Sequence, residues 1–363
     1  MSVKPSAWLL IAATSLWAAG AAGQTYRAVD LATLAQGNAV VVRGPNIAGT
    51  GAGGGTLAGA SGAGGERRGL LLESGAARQI SGLPGSDDTV VFGLNDAGGL
   101  VGSSNTATAV RAFAGTPAGP LRELPPLGGD NASSAYAVNN LGQAVGFSSG
   151  AGGQRAVMWD AGGTPRALPD AFGTFGSRAT GINERGDVAG VARAAAGGQR
   201  PLLWPVGQAP AQLMLLAGHV TGEAVAINAR GEAVGYSADA AGARRATLWT
   251  SNAAVVDLGT LPGGDFSQAF GTNGAGDIVG ASNSDAGSRA VLWTRGGGLQ
   301  DLNSLIAPSP FVLTKAVGIN DAGMILATGR DAVAGHETGP HTHVDEHDLP
   351  VRVFLLIRSG GGL

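Results

Sequence analysis

Ala224-Val225-Ala226-Ile227-Asn228-Ala229-Arg230-Gly231-Glu232-Ala233-Val234-Gly235-Tyr236-Ser237 decides the fold, because it is one copy of a unit that returns along the chain. Its centre is Asn-x-x-Gly, two apolar or small residues, and usually a second Gly. It begins at Asn95, Asn139, Asn183, Asn228, Asn273 and Asn320, at steps of 44, 44, 45, 45 and 47 residues. The second Gly is Gly102, Gly146, Gly190, Gly235 and Gly280, and Ala327 takes its place in the last copy. The residues before each Asn are short and suit a strand. Asn-x-x-Gly suits a type I turn, in which the Asn side chain bonds to the backbone ahead and Gly accepts positive φ. Ala233-Val234-Gly235-Tyr236-Ser237 then returns as a second strand.

A second motif keeps the same period. Arg, a small residue and an apolar run ending in Trp stand at Arg155–Trp159, Arg200–Trp204, Arg245–Trp249 and Arg289–Trp293. Weaker copies begin at Arg68, Arg111 and Arg352, which makes seven third strands. Segments such as Val255-Val256-Asp257-Leu258 supply a fourth. Four antiparallel strands in about 45 residues match the blade of a β-propeller. A β-solenoid, the competing architecture, needs a shorter coil.

The chain therefore reads as an all-β, seven-bladed propeller. Tyr26-Arg27-Ala28-Val29-Asp30-Leu31 resembles a fourth strand standing alone, and the chain ends soon after the third strand at Leu356. The N-terminal strand is expected to close the last blade and remove its open edge. The seventh Asn-x-x-Gly unit is read as the degenerate stretch 40–49. The Gly-rich run 49–65 lacks the Lys and Ser/Thr of a phosphate loop and is read as a flexible loop.

Composition agrees with many short strands. There are 64 Gly, which could indicate disorder, but the 44% hydrophobic fraction argues for a packed core. The net charge of −3 gives no electrostatic reason for nucleic-acid or anionic-membrane binding. The absence of Cys excludes disulfides and thiolate chemistry. Lys4 precedes an apolar run, Ala7–Ala22, and small residues at Ala21-Ala22-Gly23 suit signal-peptidase cleavage near Gly23. The run is shorter than the ~20 residues needed to span a bilayer. Residues 1–23 are thus a signal peptide, and 24–363 one secreted or periplasmic domain with no membrane span after cleavage, expected to be a monomer.

These units resemble the HAF repeats of extracellular bacterial proteins, in which a His-Ala-Phe-like tripeptide precedes Trp and Asn-Asp-Ala-Gly marks a turn. Asn95-Asp96-Ala97-Gly98 and Asn320-Asp321-Ala322-Gly323 match that turn. Arg replaces His in every copy, with Arg111-Ala112-Phe113 nearest to the tripeptide. The resemblance covers the mature chain and implies a secreted repeat protein without a defined activity.

Repeated residues build blades, because a reaction needs one asymmetric site. Trp159, Trp204, Trp249 and Trp293 are expected to fill the space between sheets. Gly146-Phe147-Ser148-Ser149-Gly150 satisfies the hydrolase string G-x-S-x-G, but no helix follows and Ser148 aligns with Ser104, Ser237 and Ser282, so it is a chance match. The exception to the repeat lies between Ala327 and Arg352, an insertion at 328–351 holding four of the five His. His341, His343, Asp345 and His347 are candidate ligands for a divalent transition metal, Zn²⁺, Cu²⁺ or Ni²⁺, which accept imidazole and carboxylate. A solvated polar loop is the plainer reading. Strand order puts this insertion on the same face as Asp130, Asp265 and Phe266, the candidate ligand-face residues, because loops on a rigid scaffold carry function. A binding or interaction module for a protein, glycan or small ligand is the leading reading. A propeller hydrolase or lyase with a metal or carboxylate site on that face is the alternative; the sequence leans away from an enzyme without excluding one.

Overall fold

The computed structural model describes residues 26–31, 40–41, 47–48, 56–61, 68–73, 76–170, 176–195, 197–332 and 352–359. The described residues hold no α-helix, and hence none long and apolar enough to cross a membrane; the one helical turn is the 3-10 segment Leu302–Leu305. Every sheet is antiparallel, and six of them have four strands.

One sheet shows the plan. Ala132–Val138 runs into the Asn139 turn and pairs with Ala144–Gly150, which pairs with Gly153–Trp159, which pairs with Pro165–Ala167. The turn closes as the sequence predicts: Gly142 has φ of 76° and donates its N–H to Asn139 O at 3.0 Å. The second Gly of the repeat answers a different demand. A β-bulge between Ala135 and Ala137 turns the Ser134 carbonyl toward the partner strand, and a Cβ at Gly146 would sit 2.0 Å from that oxygen. The same approach occurs at Gly102, Gly190, Gly235 and Gly280, at 2.0–2.2 Å.

The first strands of successive sheets lie side by side, so they form the inner edge, and each also packs on the second and third strands of the sheet before it. The core accordingly lies between sheets. Val101, Ala112 and Leu124 of one sheet join Ala135, Val157 and Trp159 of the next in one buried cluster, and Val145, Ala156 and Met158 join Ala179, Leu202 and Trp204 in another. The Trp residues fill these spaces as expected, at 0–4% exposure.

The sheet containing the chain's last strand is Phe311–Ile319, Ile325–Asp331, Arg352–Arg358 and, antiparallel to the latter, Tyr26–Asp30. Two expectations need correction. The Gly-rich run 49–65 is not wholly loop, because Thr56–Ser61 is a strand between Arg68–Glu73 and both Val40–Val41 and Ile47–Ala48. Within stretch 40–49, Val40–Val41 and Ile47–Ala48 thus pair as an interrupted first strand. The insertion also starts later than 328, since its strand runs to Asp331.

Candidate functional site

The two ends of the sheets differ in how their polar groups are used. At the short-turn end five of the six repeat Asn residues bond in two directions, and each of the six is buried. Its Oδ1 accepts from the backbone N–H four residues on, at Gly99, Gln143, Asp187, Glu232, Asp277 and Met324, over 2.6–3.1 Å. In Asn95, Asn139, Asn183, Asn228 and Asn273 the Nδ2 reaches the next sheet. Asn95 donates to Asn139 O, Asn139 to Asn183 O, Asn183 to Asn228 O and Asn273 to Asn320 O, at 2.7–3.2 Å. Asn228 donates to Thr272 Oγ1 instead, at 3.4 Å. The following residue repeats the idea outside: Asp96 N–H donates to Asn140 Oδ1, Asn140 N–H to Glu184 and Gly274 N–H to Asp321. This end is a chain of inter-sheet fasteners.

Repeated groups elsewhere are also committed to the scaffold. The indole N–H of Trp159, Trp204, Trp249 and Trp293 donates to Pro125 O, Pro169 O, Met214 O and Leu258 O of the preceding loop, at 2.6–2.9 Å. Third-strand Arg residues pair with an acid on the fourth strand of their own sheet: Arg111 with Glu123, Arg245 with Asp257, Arg289 with Asp301 and Arg352 with Asp30. Ser148 is fully buried, accepts from Leu127 N–H at 2.9 Å and donates to Asp130 Oδ2 at 2.6 Å, so the G-x-S-x-G string is a structural serine.

At the long-loop end, Asp130 and Asp265 follow matching Gly-Gly turns but differ in use. The Asp130 side chain is 5% exposed, held by Ser148 and by Arg155 at 2.9 Å. Asp265 is exposed, with one long contact of 3.5 Å from Asn283, and Phe266 beside it is half-buried. His341, His343, Asp345 and His347 lie outside the described residues, as does the proposed signal peptide. The insertion's described flanks meet, since Arg352 bonds both Asp331 and Asp30 and lies over the rings of Phe311 and Phe354. Among the described residues no group of three or more His, Cys, Asp or Glu is placed to hold a metal.

A further set of side chains gathers on and beside the inner strands, where the repeat diverges. Phe92 and Tyr136 of adjoining strands meet edge to face at 5.3 Å, and Tyr136 reaches Phe147 at 5.8 Å. Arg178 Nη2 donates to both oxygens of Glu223 on the next strand at 2.8 Å. Burial works against the Arg178 charge, yet Glu223 outweighs it and holds the guanidinium pKa above its ordinary value. Arg244 lies 4.4 Å above the Tyr236 ring and donates to Gln268; burial, then the Glu223 charge, push the Tyr236 phenol pKa up. Lys315 Nζ stands 4.1 Å over the Phe270 ring. The signal for the first-strand members was present in the sequence as the positions three and five residues before each repeat Asn, where residue type is not kept; Phe147, Tyr236 and Arg244 lie on second and third strands.

No protein-family model matches the chain, and no curated protein matches its sequence. Its fold is similar to solved structures. YCF48 bound to D1 peptide matches with a TM-score of 0.51 and 11% identity, over 93% of this chain and 97% of that one. The β-propeller domain of the trilobed protease from Pyrococcus furiosus, described as having an open velcro topology, matches with a TM-score of 0.51 and 7% identity, over 93% and 94%. A puromycin hydrolase complexed with PGG matches with a TM-score of 0.55 and 14% identity over 86% of this chain, which spans 54% of the hydrolase. At these identities the likeness is one of fold: the protein has a β-propeller fold.

Proposed function

We propose that the chain is a seven-bladed propeller of the HAF-repeat type, closed by its N-terminal strand, that acts outside the cytoplasm as a binding module through its long-loop end. The blade count is supported by seven third strands in sequence and by sheets formed around each. Closure is supported by Asp30, which takes from Arg352 the bond that Asp257 and Asp301 take from Arg245 and Arg289. Export rests on the N-terminal segment up to Gly23.

One observation carries the binding reading. The repeated polar groups are spent on joining sheets, whereas the inner strands present Phe92, Tyr136, Arg178, Glu223 and Lys315, which differ from copy to copy. A rigid ring with one asymmetric patch is suited to recognition. The test places a photo-crosslinking residue at Asp265 on the long-loop end or at Leu141, 62% exposed on the short-turn end, in the exported protein. A defined adduct from position 265 and none from 141 is expected. Equal labelling from both, or none from either, refutes the reading.

The histidine insertion supports a second site. Four of the five His fall within it, and we propose that His341, His343 and His347 with Asp345 take Zn²⁺, Cu²⁺ or Ni²⁺. Metal titration of the mature protein against the triple His→Ala variant decides it: stoichiometric binding lost in the variant is expected, and equal binding by both proteins rules the site out.

A further inference from the structure

The chemistry of the inner strands narrows the ligand, and this step rests on the binding reading above. Five residues before each repeat Asn stand Val90, Ser134, Arg178, Glu223, Gln268 and Lys315. They occupy one level of adjoining strands, each opposite or beside the second-strand residue at the repeat Gly. Two cations and one anion share this level in a chain whose net charge is −3. The anion is already taken, since both Glu223 oxygens face Arg178 Nη2 and its side chain is only 13% exposed.

Arg178 is only partly used. Its side chain is 31% exposed, and its bonds among the described residues run from Nη2 to Glu223 alone, leaving Nε and Nη1 as donors. Both two-donor edges of the planar guanidinium include Nη2, so the approach left open is to the single donor Nη1, which suits one oxygen of a carboxylate. Tyr136 and Phe147 of the preceding sheet, with Phe92 of the sheet before that against Tyr136, make an apolar wall. A dianion such as phosphate would meet the nearby Glu223 charge, which favours a ligand with one negative charge.

We propose that the long-loop end of the inner strands binds a carboxylate carried on an aromatic or large apolar body, with a carboxylate oxygen accepting from Nη1 of Arg178 and the body against Phe92, Tyr136 and Phe147. Lys315, held over Phe270, adds to the local positive potential from the other side of the level. The same chemistry is offered by the C-terminus of a polypeptide ending in an apolar residue and by a small aryl-alkanoic acid.

The experiment uses the mature full-length protein. An array of random heptapeptides, each made as the free acid and as the C-terminal amide, is probed in parallel with calorimetric titration of 3-phenylpropionate and its amide. Free acids ending in apolar or aromatic residues are expected to bind at least about tenfold tighter than their amides. Arg178→Gln alone leaves Glu223 unpaired, so the Arg178→Gln/Glu223→Gln double variant is the main probe. With its melting temperature checked, it is expected to lose the acid preference. Tyr136→Leu is expected to weaken acids several-fold while keeping their preference over amides. Binding of 3-phenylpropionate that displaces the peptides assigns the site to small acids; peptide binding without it assigns a polypeptide terminus. Equal binding of acid and amide, an acid preference that survives the double variant, or no binding by any member overturns the proposal. The crosslinking contrast between positions 265 and 141 would still stand in those cases, so the wider binding reading fails or survives separately.

Discussion

The short-turn end and the long-loop end are built from the same repeat but spend their polar side chains in opposite ways. At the short-turn end one bond recurs, the Asn amide of one sheet on a backbone carbonyl of the next, with spacings of 44–47 residues. At the long-loop end a backbone N–H to serine bond recurs, from Leu83, Leu127, Leu216 and Leu261, but the acids beside it differ: Asp130 is locked by Ser148 and Arg155, while Asp265 is open to solvent. Bonds that recur in register distribute the work of holding sheets together, and no single copy can be specific. Side chains that differ from copy to copy break the pseudo-symmetry of the repeat, which any selective site requires. The contrast separates scaffold from candidate site without appeal to a known activity.

The N-terminal strand tests the contrast most severely because it serves both ends. Its Asp30 bonds Arg352 at the long-loop end, and its Tyr26 hydroxyl accepts from Arg358, which also pairs with Asp277 at 3.0 Å. Deleting residues 26–31 leaves an open edge along Arg352–Arg358 and removes buried Tyr26 and Leu31 from their clusters. We expect a loss of about 5 kcal/mol or more, read as a lowered thermal transition and aggregation on size exclusion. An unchanged transition would mean that closure lies elsewhere.

Next in size are substitutions at the bulge. Gly146→Ala would drive a Cβ against Ser134 O and is expected to cost about 2–3 kcal/mol in denaturant unfolding. Gly128→Ala, at the long-loop end with open space around it, should stay within about 0.5 kcal/mol. Asn183→Ala removes both the bond to Asn228 O and the acceptor for Asp187 N–H, for about 1–2 kcal/mol. Asp265→Ala at the opposite end should leave stability within about 0.5 kcal/mol. If the two cost the same, the division between fastening and free ends is wrong.

These effects also mark what a reader of the sequence can and cannot obtain. The sheets were legible because Asn-x-x-Gly has few conformations open to it, and its period of about 45 residues fits one blade. The strand Thr56–Ser61 was not, since a Gly-rich run carries no alternation of apolar residues and becomes a strand through its neighbours. The Asn side chain was readable as a turn-former; its second bond was not, because the acceptor lies a full repeat away. Asp130 and Asp265 look alike in sequence, both after Gly-Gly, and only the position of Arg155 and Ser148 separates them. Arg178 and Glu223 were visible as departures from the repeat, yet their pairing depends on knowing that first strands stand side by side.

The smallest effect concerns acid. Within the short-turn end, Asp187 and Glu232 each stand four residues after a repeat Asn and accept from its Nδ2, at 3.1 and 2.9 Å. Burial disfavours both charges, but for Glu232 the Asn228 bond with the Arg295 and Arg230 charges wins, and for Asp187 the bonds from Asn183, Val206 N–H and Arg185 do. Both carboxyls are held below their ordinary values. A lowered folded-state pKa means that the stability they add is complete above the unfolded-state range, about 4, and is lost as pH falls through the lower folded values. Melting temperature should therefore decline below about pH 4, and Glu232→Gln with Asp187→Asn should shallow that decline while lowering the neutral-pH value slightly. An acid limb of unchanged slope in the double variant would place the acid-sensitive contacts among other ion pairs, including those of the long-loop end.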